Sequence, residues 1–257
     1  RLGYQSDAQA SLAVSYNSLE SYGASLQDAL TRAYPAYEAV GIRNPGGDYN
    51  QLATSLLQIE NEFYGTIRPK RVIFSGERPL HALRERGVEY VEVRLLDLNP
   101  FLPVGINAQT MRFIDIFLLH CLLADSPNDT PDEIAALARN QHHTAARGRE
   151  PGLRLERGGQ EVTLVEWGAE LMAAFGPIAA ALDAAHGSSD YSAALAAAQA
   201  GLDDASALPS AQVLAAMAAE HENSFVRFVR QQSLQTREAL LELPFSDTQQ
   251  AEFEAQS

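Results

Sequence analysis

One segment constrains the fold more than any other: Val88-Glu89-Tyr90-Val91-Glu92-Val93-Arg94-Leu95-Leu96-Asp97-Leu98. Polar and apolar residues alternate through it with the period of a strand, and Asn99-Pro100 stops it. Beyond that proline the chain reads as helix. The spacing predicts helices over 108–124, 131–144 (Thr130 as cap), 166–185 and 189–202, then one long helix over 210–241. Strands early and helices afterwards define an α+β chain. The expected division is 1–125, a sheet with packed helices, and 126–257, a helical region packed on it.

The first hundred residues hold the remaining punctuation. Asn17 with Glu20 forms a capping box for a helix carrying Leu19, Tyr22, Leu26 and Leu30, and Pro35 ends it. Asn44-Pro45-Gly46-Gly47-Asp48 is a turn. Residues 52–59 read as a strand that continues to Tyr64, with Gln58, Glu60 and Glu62 on one face. Pro69 keeps Arg68 extended, Pro79 opens a short helix, and Gly87 closes it. Residues 147–160 are rich in arginine and glycine and read as loop. The Ala-rich stretch 169–218 has no fixed period and reads as closely packed helices.

Charge narrows the partners. The chain carries 19 basic against 33 acidic residues, a formal −14, which argues against non-specific nucleic-acid binding. Seven of those basic residues lie between Glu62 and Arg94 with only five acids, so an anionic substrate belongs there. Lys70 is the sole lysine. The single cysteine, Cys121, excludes an intrachain disulfide and suits a reducing compartment, hence a cytoplasmic expectation; inside an apolar helix it reads as core. The apolar run 111–124 is too short to span a bilayer, and the first residues are too polar for a secretory signal, so no membrane partner is expected.

Chemistry concentrates on the alternating strand. Tyr90, Glu92 and Arg94 share one face; Val91, Val93 and Leu95 share the other, which is expected to meet the core. Glu92 and Arg94 then stand about 6–7 Å apart at Cα. One phosphate-bearing ligand can touch both, with Glu92 on a hard cation and Arg94 on phosphate oxygens. A same-face salt bridge on a solvated sheet is the simpler reading of the pattern alone. His142-His143 cannot chelate together, because neighbours on a helix point about 100° apart.

The residues that carry a resemblance are Leu57-Gln58-Ile59-Glu60-Asn61-Glu62-Phe63-Tyr64, Ile67-Arg68-Pro69-Lys70-Arg71, Ser75-Gly76-Glu77, and Gly87 through Arg94 followed by Asp97-Leu98-Asn99-Pro100-Phe101. With Leu2-Gly3-Tyr4-Gln5 and Met111-Arg112-Phe113 in the same order, they resemble proteobacterial glutamate–cysteine ligases. The resemblance implies the helix-rich C-terminal part of a glutamine-synthetase-like fold, with a few antiparallel strands from a curved sheet. It implies an ATP-dependent ligase that joins the glutamate side-chain carboxyl to the cysteine amine through γ-glutamyl phosphate, the first step of glutathione synthesis. Glu92 matches a Mg²⁺-binding carboxylate (Mn²⁺ being an alternative ion), Arg94 an arginine at the γ-phosphate, and Tyr4 and Tyr64 tyrosines of the cysteine pocket. The resemblance gives Arg68 and Lys70 no set role; contact with phosphate or with a substrate carboxylate is the expectation for both. The family's other metal-binding residues lie in its N-terminal half, which the matching blocks do not include. The chain alone is therefore expected to bind Mg²⁺-ATP poorly and to be inactive. Two other readings stay open: a non-catalytic helical scaffold derived from the ligase fold, and a related ligase with another amine acceptor.

Overall fold

The structure, a computed structural model, describes residues 12–63, 65–94 and 96–256. It has two compact units, each drawn from separate stretches of chain: Arg1–Leu96 with Asp125–Leu164, and Asp97–Ala124 with Val165–Ser257. The chain thus passes between units at 96/97, 124/125 and 164/165, where the sequence suggested one boundary after 125.

In the first unit, helix α1 (Leu19–Thr31) buries Tyr22, Leu26 and Ala29 on one face, the periodicity expected of an amphipathic helix. Its cap is Ser18, which accepts from Ser21 N, rather than Asn17. Asn17 is committed elsewhere: its side chain accepts from Asp129 N at 2.7 Å and donates to Asp129 O at 3.4 Å, tying the two stretches of this unit together. A short helix α2 (Pro35–Val40) follows, and the turn at Asn44–Asp48 forms as expected, closed by Asn44 N donating to Asp48 O.

Residues 52–59 do not form the expected strand. Gln58 folds back so that its side-chain oxygen accepts from Leu52 N at 2.7 Å, and Glu62 accepts from Gln58 N at 2.6 Å. These local side-chain bonds displace a ladder, and Glu60–Glu62 becomes a 3₁₀ turn. Leu57, fully buried, drops into the core with Tyr22, Leu26, Leu80 and Leu83.

Strand β1 (Ile67–Lys70) pairs antiparallel with β2 (Tyr90–Val93), and helix α3 (Pro79–Arg86) lies between them in sequence. Gly87 closes α3 at φ 74°, a backbone geometry that suits glycine. The strand is shorter than the alternation over 88–98 implied. Further on, helix α5 (Pro131–Arg147) starts at Thr130, as expected. It clasps a second antiparallel ribbon, β3 (Arg154–Arg157) with β4 (Gln160–Thr163), where the sequence suggested loop. Gly158-Gly159, both at positive φ, make its two-residue turn. Asn140 secures it, donating to Glu156 O at 2.7 Å and accepting from Glu156 N at 2.8 Å.

The second unit is helical: α4 (Ala108–Leu123), α6 (Leu164–His186), α7 (Asp190–Asp203), α8 (Pro209–Glu220), α9 (Phe225–Leu241) and α10 (Asp247–Gln256). Ile116, Phe175 and Ala179 form its core, with the rings of Phe113, Phe117 and His120 edge-on to Phe175. Cys121, expected in the core, is exposed, because α4 turns the face of Phe113, Ile116 and His120 inward and places residue 121 off that face. By length and composition α6 is the one described helix long and apolar enough to cross a bilayer, and it places Phe175 and Ala179 in this core. The long helix expected over 210–241 is broken at 221–224, where Glu222 and Asn223 take positive φ and Ser224 caps a new start. His221 and Phe101 then pack edge-on to the buried Phe228.

Candidate active site

Antiparallel pairing fixes which side chains share a surface. The register sets Arg68 opposite Glu92 and Lys70 opposite Tyr90, with Ile67 opposite Val93 and Pro69 opposite Val91 on the other face. The valine face is not the core face that the sequence suggested. Arg68 is 8% exposed, whereas Val91 and Val93 are 45% and 37% exposed. On the charged face Arg68 is buried while Tyr90 is 51% exposed, and the valine face stays out.

On the charged face two cations reach one carboxylate, and a third stands opposite it in the register. Lys70 Nζ stands 3.5 Å and Arg94 Nη1 3.8 Å from Glu92 Oε2, with Arg68 directly across the ladder. That oxygen is buried and accepts no hydrogen bond among the described residues, so it is held by charge alone. Arg68 donates to Asn61 O at 3.3 Å, and its guanidinium lies 5.9 Å from the centre of the Phe63 ring. A cavity of ≈ 40 Å³, room for one or two waters, opens beside it between Tyr22, Glu60, Phe63, Lys70 and Leu80.

Two tyrosines that the sequence did not single out stand nearby: Tyr22 lines the cavity, and Tyr16 packs against Tyr22. Tyr16 donates its hydroxyl to Ile67 O at 3.1 Å, and its ring lies 5.5 Å from that of Tyr22. Burial raises both phenol pKa values, an effect the Arg68 charge partly offsets, so both stay neutral at physiological pH. Tyr22 looks like an ordinary core position of α1, and no local pattern marks Tyr16.

The basic cluster separates into two jobs. Arg71 donates to Arg86 O at 2.9 Å, Arg84 to Gly23 O at 3.1 Å, and Arg86 grips both oxygens of Glu77 at 2.6 and 2.7 Å. Those three hold loops and helix ends. Lys70 and Arg94 instead pair with Glu92, and Arg68 stands opposite it on the ladder. Glu92 and Arg94 share a face as the alternation implied, and the ladder sets Arg68 and Lys70 on that same face. Glu60 and Glu62 are not part of it: Glu60 caps α3 by accepting from Leu80 N at 2.8 Å. Tyr4 and Tyr64 lie outside the described residues. His142 and His143 are exposed on α5.

As a metal site this arrangement is incomplete. Mg²⁺ takes six oxygens, and the described residues contain no group of three or more His, Cys, Asp or Glu able to hold a metal ion. Glu92, with its unbonded carboxylate oxygen, suits one ligand of such a site and not the whole of it.

The face with arginine and lysine around a single carboxylate is the most highly charged surface on the described part of the antiparallel ribbon. The glutamate–cysteine ligase family model matches residues 1–144, and the chain belongs to that family. Glutamate–cysteine ligase of Pseudomonas fluorescens (strain Pf0-1) is 49% identical over 253 residues, 98% of this chain and 47% of the relative. The Pseudomonas putida KT2440 enzyme is also 49% identical, over 98% of this chain and 48% of its own length. The chain thus spans about half the length of the curated relatives it matches. Among solved structures, the Francisella tularensis glutamate–cysteine ligase in complex with AMP superposes with a TM-score of 0.84 at 32% identity, covering 98% of this chain and 49% of that one. A Pasteurella multocida bifunctional glutathione synthetase shares the fold at TM-score 0.57 and 18% identity, over 90% of this chain and 25% of that one.

Proposed function

We propose that this chain supplies the C-terminal part of the active site of an ATP-dependent glutamate–cysteine ligase. The observation that carries the reading is the charged face of the ribbon, where Glu92 and Arg94 stand with Lys70 and Arg68 in a chain about half identical to such ligases. A carboxylate is a poor electrophile. The glutamate γ-carboxylate attacks the γ-phosphorus of ATP and releases ADP; the cysteine amine then attacks the acyl phosphate, expels phosphate and loses a proton.

In this reading Arg94 and Lys70 offset charge on the transferring phosphoryl group, where a preorganised cation is most effective. Arg68, buried and held by Asn61 and Phe63, keeps the charged face positive and fixes the ladder opposite Glu92. Tyr64 and Tyr4 line the cysteine pocket, as the family pattern suggests. Glu92 gives one carboxylate to a divalent cation, Mg²⁺ or Mn²⁺, which when bound polarises phosphate oxygens; the rest of its ligands come from residues outside this chain.

The test is a chimera in which this chain replaces the matching part of the Pseudomonas putida enzyme. It should release ADP in a glutamate- and cysteine-dependent manner, and the 257-residue chain alone should not. Glu92→Gln in the chimera should lower turnover by about 100-fold or more, in line with loss of a charge-stabilising group in an active site. Turnover within a few-fold of the parent would remove Glu92 from the metal site. Activity of the isolated chain would refute the divided site.

A further inference from the structure

The chain entering β1 is held from two sides. The Tyr16 hydroxyl donates to Ile67 O at 3.1 Å, and Arg94 N donates to Thr66 O at 2.8 Å. The two accepting carbonyls belong to neighbouring residues, so the phenol reaches the backbone of Arg94 through a single step of chain. Tyr16 is itself fixed in place: Ser15 Oγ donates to Asp129 Oδ1 at 3.3 Å, Asn17 accepts from Asp129 N at 2.7 Å, and the Tyr16 ring packs 5.5 Å from that of Tyr22. Gly65, just before Thr66, shows how closely the phenol and the chain approach. A Cβ added there would stand 2.8 Å from the Tyr16 hydroxyl oxygen and 3.0 Å from the Phe63 ring, so something would have to shift. The hydroxyl cannot move aside without giving up Ile67 O. Gly65 is not among the glycines at positive φ, so space, and not backbone conformation, demands glycine there.

We propose that Tyr16 and Gly65 are a matched pair that positions Arg94: the hydroxyl pins the entry to β1, and glycine is the residue that leaves room for it. Tyr16 is a positioning residue, since it acts on Arg94 only through the carbonyls of residues 66 and 67. The kinetic consequence rests on the ligase reading, in which Arg94 offsets charge on the transferring phosphoryl group; the structural consequence rests on the contacts of this chain alone. The pairing has a signature that a general loss of stability lacks. Gly65→Ala drives a methyl group against the hydroxyl. Tyr16→Phe removes the hydroxyl and keeps the ring against Tyr22, which makes room for that methyl and leaves only the Phe63 ring to give by a few tenths of an ångström. The second substitution therefore repairs the first, where independent effects would add.

Amide hydrogen exchange on the 257-residue chain, read by NMR, tests the contacts. Tyr16→Phe should speed exchange of the Arg94 N–H about threefold, the scale of one modest hydrogen bond. Gly65→Ala should speed it about 10-fold or more, the scale of overfilling a packed space, and the double variant should fall back to about the level of Tyr16→Phe. The Glu89 N–H, which donates to Lys70 O at the other end of the ladder, should keep its rate in all three. Kinetics in the Pseudomonas putida chimera test the consequence. Gly65→Ala should lower kcat and kcat/KM together by about 10-fold, and adding Tyr16→Phe should restore most of both. A double variant no better than Gly65→Ala, or exchange at Glu89 rising as much as at Arg94, would overturn the pairing. Turnover indifferent to Gly65→Ala, or a rise in KM for cysteine with kcat unchanged, would overturn Arg94 as what the pair positions. Exchange as expected, with a parent chimera that does not turn over, would uphold the pairing and count against the ligase reading instead.

Discussion

Arg68→Ala is the substitution whose effect the structure determines most directly. The side chain is 8% exposed, donates to Asn61 O at 3.3 Å and lies 5.9 Å from the Phe63 ring centre. A hydrogen bond from a charged donor contributes about 1.5–3 kcal/mol, and a cation at that distance from a phenyl ring about 0.5 kcal/mol. Glu92 is not orphaned, because Lys70 and Arg94 remain beside it, so no large uncompensated-charge penalty is added. The loss comes to about 2–4 kcal/mol in the first unit, a fall in its melting temperature of about 10 °C at 3–4 °C per kcal/mol. The assay exploits the single tryptophan: Trp167 belongs to the second unit, so its fluorescence reports that unit, while tyrosine near-ultraviolet dichroism reports Tyr16 and Tyr22. Arg68→Ala should shift the tyrosine transition and leave the tryptophan transition in place. Arg68→Lys, which keeps charge but loses the planar fork, should recover about half. A tyrosine shift under about 2 °C for Arg68→Ala would mean the guanidinium is in effect solvated, and the account of the charged face would fail.

Two further outcomes follow from side chains already described. The Arg86 fork and Phe74 N–H hold the Glu77 carboxyl down to about 2, so its stabilisation is complete above the ordinary carboxylate range and disappears as pH falls through about 2. Melting curves of the parent and Glu77→Gln should therefore differ near neutral pH and converge at about pH 2; a constant difference across that range would contradict the ion pair. Phe175→Ala removes the ring that gathers Phe113, Phe117 and His120, and should cost the second unit about 3–5 kcal/mol. Here the tryptophan transition moves and the tyrosine transition stays, the mirror image of Arg68→Ala.

What was legible in the sequence had local causes. Thr130 before Pro131, and Pro79 with Gly87, mark helix ends through their own hydrogen bonding and backbone preference, and those helices form where expected. Period-two alternation correctly put Glu92 and Arg94 on one face. That the valine face stays uncovered was not legible, because apolar-inside presumes a covering element, and none among the described residues covers Val91 and Val93. The strand expected over 52–59 failed to competition from Gln58 and Glu62, short-range bonds that hydrophobic periodicity does not weigh. The β3–β4 ribbon did leave a signal, Gly158-Gly159 between alternating residues, which a glycine- and arginine-rich composition obscured. Tyr16 and Tyr22 reach the site only through contacts with residues some fifty positions away, as with Tyr16 on Ile67, and no local pattern encodes those.

The interleaving of the two units also orders events during synthesis. Ile116, wholly buried, has its packing partner Phe175 placed 59 positions later. At about 5–20 residues per second, α4 waits about 3–12 s for that partner to be made. For most of that interval, over residues 125–164, the ribosome is completing the other unit, with the apolar side of α4 still without Phe175. A translational pause within 125–164 would lengthen that wait, and one after 186, when α6 has been made, would not.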